Sequence, residues 1–582
     1  MAESLLSILP VEIILDSILP ILPAPDLLRL GCTNKFFARL CNDETVWHYK
    51  LLGDFNFTGE GTARSSGWKF IYKNLDKPKA YVWGDKGNGR LGLEDTGSVA
   101  SGVVVPTRLR IPGVRIVSLV AGGWSFHALD SDGNIYAWGT LNSESPTLFY
   151  EGFSEPGKRA DTPKKLKLPV PFRSISCGRM HCSALDVNNK IWTFVSWGRP
   201  FRLTSPVFDD PEFTPVQIEC GWMFSCALVK SGHVFAWFPF SGTMEDRRQR
   251  QNEVMDKSRN SSVRERDGII PCVPWDLDLM PQRLPPLPPL PDLEGLPDDV
   301  AEKETKLVKI AGFDCHIIGL TNKGHVLKFR GLDNEETVED GRWTYLPKFS
   351  EAIALREHSI FSDPKASFKA PELLRITHVS ANYLNFVAYS IGSHSIVLMG
   401  DTNTTEESEP TIVPTLQNKN VISVVLGDYH SAALTADGKL YTWGQFSRGA
   451  LGLGDGKALF TRASHWDDRA VDVPTEVRFD HGRKKPKDRF CLAVAACGWH
   501  TGALVIDLEP DERESDEEVI PSIQARTQPT VRQPYETPPF IPLPGIFRFG
   551  HAARGGLRRV NHPGVQDRGH GFTDEEGPSS GQ

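Results

Sequence analysis

Two hydrophobic rhythms divide the chain. Near the start, Val11, Ile13, Ile14, Leu15, Ile18 and Leu19 recur at helical spacing, and Leu27, Leu28 and Leu30 follow after a Pro-Ala-Pro-Asp break. A third short helix is expected around Trp47 and Tyr49. From about residue 79 the rhythm changes to the alternation of strands, with apolar residues at every second position. One phrase recurs through this part: CGRMHCSAL from Cys177, CGWMFSCAL from Cys220 and CGWHTGAL from Cys497. Weaker copies are AGGWSFHAL from Ala121, AGFDCHIIGL from Ala311, ANYLNFVAY from Ala381 and LGDYHSAAL from Leu426.

After six of these seven phrases comes a tight turn and a second strand, as in SDGNIYAWG and ADGKLYTWG. Asp-Gly, Ser-Gly and Asn-Asn at the turn permit the positive φ of a two-residue hairpin. The last phrase, ending at Leu504, has no outgoing strand, whereas AYVWG at 80–84 is an outgoing strand without an incoming phrase. A ring closes if the first strand completes the last unit. The expected fold is therefore mainly β, a seven-bladed propeller over residues 79–508. Its anchor positions are Trp83, Trp138, Phe194, Trp237, Phe329, Met399 and Trp443. The excess length after Trp237, Phe329 and Trp443 is read as insertion into one type of connection, which predicts that these loops emerge on one face. Val82 is expected to pair near Ala503.

The phrase and its anchors, with GxLGL after Trp83 and Trp443, resemble the repeat of the regulator of chromosome condensation family, whose fold is such a propeller. The N-terminal order LPVEIILDSILPILPAPDLLRLGCTNKFFARLCNDETVW resembles the F-box, a three-helix module that docks on the Skp adaptor of cullin ubiquitin ligases. The matching positions are Leu9-Pro10, Glu12, Ile13, Ile18, Asp26-Leu27-Leu28, Phe36-Phe37 and Trp47; Pro20 departs from the pattern and is expected to shorten the first helix. The resemblance implies an adaptor surface made of Leu9, Pro10, Ile13, Ile14, Ile18, Leu27, Leu28, Leu30, Phe36, Phe37 and Trp47. About 50 residues with so many large apolar groups cannot enclose them all, so something else must cover part of them. The segments then read as an F-box at 1–53, a linker at 54–78 with one helix in WKFIYKNL, the propeller, and a disordered tail from 509.

Composition narrows the chemistry. Sixty-five Lys and Arg against 73 Asp and Glu give a net charge of −8. That balance offers no global attraction to nucleic acid or an anionic membrane. No apolar run is long enough for a spanning helix, and the greasy start lacks a basic leader, which predicts a soluble, intracellular chain of the cytoplasm or nucleus. Ten cysteines without a CxxC pair suit neither a disulfide framework nor a zinc knuckle. The basic run GRKKPKDR at 482–489 reads as a solvated loop, with nuclear import or phosphate binding as the alternatives. In the 241–305 insertion, Arg283, Pro286 and Pro289 have the spacing of a polyproline ligand for an SH3-type partner, although a proline-rich spacer has the same look.

His181, His316, His430 and His500 each fall in the repeated phrase, so they are expected to make structural hydrogen bonds inside each blade rather than to hold metal. Cys177, Cys220 and Cys497 share a slot that Ala121 fills elsewhere, the mark of a small buried position. No cofactor, metal or nucleophile motif stands out. Three functions follow: a ubiquitin-ligase substrate receptor, which uses both modules; a guanine nucleotide exchange factor; and a chromatin-binding propeller.

Overall fold

The computed structural model describes residues 9–76, 78–94, 101–142, 152–258, 262–362, 369–392, 394–456, 469–481 and 488–509. The tail beyond 509 and most of the basic run at 482–489 lie outside them. Seven antiparallel sheets follow one another around a ring. Blade 1 shows the plan, running from the inside outward: Ile116–Ala121, Ser125–Asp130, Ile135–Gly139 and Ala160–Leu166. Each recurring phrase supplies the end of an inner strand, a tight turn and the second strand; each anchor residue lies on the third strand.

The closing blade is a two-plus-two composite. Arg489–Cys497 and His500–Asp507 come from the end of the propeller, Lys79–Asp85 and Gly102–Leu109 from its beginning. Val82 pairs with Gly502 and Tyr81 with Ala503, so the join falls where the alternation puts it. The chain start contributes two strands instead of one. Outer strands such as Gly102–Leu109, Ala160–Leu166 and Ala470–Glu476 are half exposed and contain Pro106, Pro163 and Pro474. Proline and polar residues suit a sheet edge and erase the alternation that would reveal a strand.

The Gly-rich stretches join each blade to the next. Gly92, at φ +65°, lies against Trp138, and Gly452, at φ +68°, against Trp83; a Cβ on Gly452 would come within 2.7 Å of the Trp83 indole nitrogen. That nitrogen donates to the Ala450 carbonyl at 2.8 Å. Left-handed backbone and absence of a side chain are both needed where loop meets ring.

Three of the four phrase histidines stitch neighbouring blades, which corrects the expectation of bonds inside each blade, whereas His316 lies beside Asp314 of its own blade, Nδ1 to Oδ2 3.9 Å. His181 Nε2 pairs with Ser225 Oγ at 2.7 Å, His430 Nε2 with Thr501 Oγ1 at 2.8 Å, and His500 Nε2 donates to the Ser125 carbonyl at 3.2 Å. Each partner belongs to the following blade, because a side chain on a second strand points across the wedge between sheets. Burial lowers His181 to about 3, His430 to about 4, and His500 well below its ordinary value.

The insertions do not share one face. Antiparallel blades put first-to-second-strand turns and third-to-fourth-strand loops on one face, and the remaining connections on the other. After Trp237, the connection to the fourth strand leaves from the turn face, but the one after that strand leaves from the opposite face; after Phe329 the longer connection likewise follows its fourth strand, Arg342–Tyr345, and leaves from the opposite face. The outer strand between them, only Gln282–Arg283 in blade 3, is too short to show as a pattern. The first of these insertions runs back along the ring: Ile269–Ile270 pairs in parallel with blade 1 and Trp275–Asp278 with blade 2. It covers two sheet edges that would otherwise be open.

Residues 54–76 weld the N-terminal helices to the propeller. Trp68–Asn74 forms the expected helix, and Trp47, Leu51, Trp68, Ile71 and Leu75 share a buried cluster with residues of blades 1, 2 and 7. Asn56 Nδ2–H donates to the Phe172 carbonyl at 2.8 Å, the Ala63 amide to Ile422 at 2.5 Å, and Arg64 to Ala436 at 3.1 Å. All three acceptors lie on the face opposite the turns. The link is packed rather than flexible, and the propeller covers much of the apolar surface that the N-terminal module cannot enclose.

Two predictions follow from this packing. Gly452→Val places a branched side chain against Trp83 at a left-handed position, and should destabilise the whole propeller by about 1–3 kcal/mol in urea unfolding; an unchanged midpoint would refute the seating. For pH, the three histidines stay neutral in the fold but bind protons in the unfolded chain below about pH 6.5. Unfolding therefore takes up protons, and stability should fall as pH drops from about 6.5 towards 4. Glu219, raised by burial to about 7, works in the opposite sense with a single proton. Denaturant midpoints across this window, and a shallower slope in His181→Gln, check the balance.

Candidate functional site

The N-terminal module is built from four helical stretches rather than three. Val11–Ile13 is α-helical, Ile14–Ile18 is wound as a π-helix and Leu19–Ile21 as a 3-10 turn, followed by Ala24–Gly31, Lys35–Leu40 and Glu44–Phe55. Pro20 has no N–H for the carbonyl four residues back, so the winding changes around it, and the helical stretch continues to Ile21. Asn34 caps the third stretch by accepting from the Phe37 amide at 2.9 Å, and Asp43 caps the fourth by accepting from Thr45 at 2.9 Å.

The eleven residues of the expected adaptor surface fall into three groups. Leu9, Pro10, Ile13, Leu28 and Phe36 face outward, with Ile13 46% and Leu28 52% exposed. Ile18, Leu30 and Phe37 are half-buried. Ile14, Leu27 and Trp47 are interior, which corrects their assignment to a partner surface. Ile14 and Leu27 pack with Leu19, Leu40, Cys41 and Val46. Trp47 donates its indole N–H to the Cys41 carbonyl at 2.9 Å and meets the Tyr72 ring edge-on at 5.0 Å. Helical spacing marks apolar positions without saying which of two apolar faces turns to the module's own core. The expected surface left out Val11, which the spacing includes, and Ile21, which it does not; both are exposed, the latter at 80%. Ile21 stands one residue past Pro20, where the winding change breaks the register.

What results is a small helical module that keeps several large apolar side chains exposed while Trp47 and Leu51 weld it to the ring. Its outward members are large, close in sequence and uncharged, which suits burial against another protein.

The opposite face of the propeller carries a second cluster. Arg179, on the first turn of blade 2, reaches Asp428 on that of blade 6, with Nη1 at 2.6 and 2.9 Å from the two carboxylate oxygens. Its guanidinium stacks over Trp124 at 4.7 Å, Trp222 at 5.1 Å and Tyr383 at 5.5 Å, which touch it from blades 1, 3 and 5. Burial opposes its charge, but the Asp428 carboxylate more than offsets this and holds the pKa above its ordinary value. Tyr429, at 41% exposure, and Trp499 extend the aromatic ground around this axis. Sequence reasoning placed these turns without singling out Arg179, because its partners are brought together only by ring closure.

The sulfur and imidazole groups are arranged for structure. Among the described residues, one group could be mistaken for a metal centre: His127, Cys177 and Cys182, between blades 1 and 2. The Trp197 indole N–H donates to His127 Nε2 at 2.9 Å. That leaves the ring proton on Nδ1, which points at Cys177 Sγ at 3.2 Å, while Nε2, 3.5 Å from Cys182 Sγ, already accepts from the indole. Burial pushes the Cys220 and Cys497 thiols up to about 12 and Cys177 well above its ordinary value, which keeps them protonated and poor nucleophiles.

Known proteins match this arrangement module by module. The F-box-like family model matches residues 6–52, and models of the regulator of chromosome condensation (RCC1) repeat match 421–450 and 437–504. F-box protein pof9 of Schizosaccharomyces pombe is 23% identical over 83% of this chain and 86% of its own length. SCF-associated factor 1 of Saccharomyces cerevisiae is 24% identical over 58% of this chain, and the chain spans only 42% of that protein's length. Protein pim1 of Schizosaccharomyces pombe is 23% identical, with 69% of this chain and 60% of that one covered. Among solved structures, Prp20p of Saccharomyces cerevisiae is 17% identical with a TM-score of 0.45, covering 75% of this chain and 93% of that one. The chain thus joins an F-box-like module to a seven-bladed β-propeller of RCC1-type repeats.

Proposed function

We propose that this chain is the substrate-receptor subunit of a Skp, cullin and F-box ubiquitin ligase. The F-box-like module docks on the Skp adaptor and through it the cullin, the propeller holds the protein to be marked for degradation, and a partner enzyme transfers ubiquitin. The observation that carries this reading is the exposure of Leu9, Ile13, Ile21, Leu28 and Phe36 on a module that is itself fixed to the propeller through Trp47 and Leu51. The names of SCF-associated factor 1 and F-box protein pof9 support it. A nucleotide exchange factor or a chromatin-binding propeller would leave those side chains without a use.

Within this reading the target binds on the face of the first turns, around Tyr429, Trp222 and Trp499. The helical module and its linker occupy the opposite face, and Trp, Tyr and Arg are the residues that dominate protein interfaces. The receptor works in the cytoplasm or nucleus, where a cullin ligase is available to it.

The structure separates binding from folding in a way that can be measured. Leu9→Ala with Ile13→Ala removes exposed side chains worth roughly 1.5–3 kcal/mol each when buried by a partner, and should weaken adaptor binding more than tenfold without moving the melting temperature. Trp47→Ala should instead cost about 3–5 kcal/mol of stability. Purification of the double variant with full adaptor and cullin would remove the reading, as would recovery of a small GTPase or nucleosomes in their place from the unaltered chain.

A further inference from the structure

The proline-rich segment after blade 3 is held on the propeller in a way that leaves a ligand surface outward. Proline fixes φ near −65° and pushes the preceding residue to extended backbone, so the run LPPLPPLP, which follows the short strand Gln282–Arg283, favours the left-handed, three-residue turn of polyproline II. That turn divides it into three edges. Leu284 is buried, and Leu287 and Leu290 pack against the same cluster as Phe329 and Trp343. Arg283, Pro286 and Pro289 occupy a second edge and are all exposed, while Pro285 and Pro288 form the third, half-buried. The backbone is tied down at both ends: the Trp343 indole N–H donates to the Pro285 carbonyl at 3.1 Å, and the His325 ring lies 2.8 Å from that of Pro291.

We infer that this segment is a preformed docking site for an SH3-type domain. Such a domain lays two edges of a polyproline helix into aromatic-lined pockets, takes a flanking cation in an acidic one, and leaves the third edge outside the groove. Here the leucine edge, the one such a groove does not use, faces the propeller; the edge of Pro286 and Pro289 faces away from it, and that of Pro285 and Pro288 stays partly open between the two. Arg283 stands on the same edge as Pro286 and Pro289, three residues before the first, and supplies the cation. Its guanidinium lies 5.7 Å from the Phe213 ring, which holds it at the segment's end. Anchoring also removes the ordering cost that a free proline-rich chain meets on binding. A bare spacer has no need of a period-three division into docked leucines and exposed prolines.

The test uses the full-length chain against an array of purified SH3 domains, with WW domains alongside. At least one SH3 domain should bind, and Pro286→Ala with Pro289→Ala, or Arg283→Glu alone, should weaken it by about tenfold or more at unchanged melting temperature. Leu287→Ala should lower the melting temperature, since that edge belongs to the core. The Leu9→Ala, Ile13→Ala chain should bind the SH3 domain normally, which keeps this result independent of the adaptor. Absence of any SH3 binding, capture by WW domains only, binding that survives the double proline variant, or binding by a free 280–293 peptide but not by the folded chain would each overturn the inference.

Discussion

The pairing of Lys79–Asp85 with His500–Asp507 is the interaction on which the rest of the molecule depends. Without it the last blade has two strands and an open edge, and the ring has a gap. With it, every blade has a neighbour on each side, and cross-blade contacts become available at several depths. The turn amides join around the axis: Gly123 donates to Gly178, Arg179 to Gly221, Trp222 to Asp314 and Asp428 to Gly498. Histidines bond between second strands further out, and Gly92 and Gly452 seat against the tryptophans of the next blade. None of these contacts is strong alone, but a closed ring makes them mutually supporting, since opening one wedge strains the others.

Closure also gives the molecule two faces with different work. Where the inner strands begin, the N-terminal helices and their linker are fastened by apolar burial and by hydrogen bonds to exposed backbone carbonyls. Where the inner strands end, the turns converge on Arg179 and Asp428 beneath a set of aromatic rings. A partner held on the turn face and an adaptor held on the helical module would thus be kept apart by a rigid body, with no flexible joint between them. For a receptor that presents one protein to an enzyme bound to another, that rigidity fixes the reach.

The buried reactive groups serve this rigidity. His181, His430, His500, Cys177 and the Arg179–Asp428 pair sit where blades meet, and each finds a partner in a different blade from its own. A carboxyl such as Glu219 and an imidazole such as His181 are displaced from their ordinary protonation by the same enclosure, in opposite chemical directions. Such groups make stability depend on pH.

The sequence by itself determined the number of blades, the anchor residues and the place of closure, because inner and middle strands are buried on both faces and their side-chain alternation is a local property. It also marked the N-terminal helices and the extra helix at Trp68. It did not reveal the outer strands, where proline and polar residues meet solvent, and so two connections were read as one and the insertions were put on a single face. It did not separate Ile13 from Ile14, or Leu28 from Leu27: a helix repeats every 3.6 residues whichever side is its inside, and only packing against Leu40, Val46 and the propeller decides. Arg179 and Asp428 lie 249 residues apart, and their meeting, like the cross-blade histidine bonds, belongs to the closed ring. Local spacing reports what a segment can become, whereas which residues face each other across a wedge is set by chain parts that only the tertiary structure brings together.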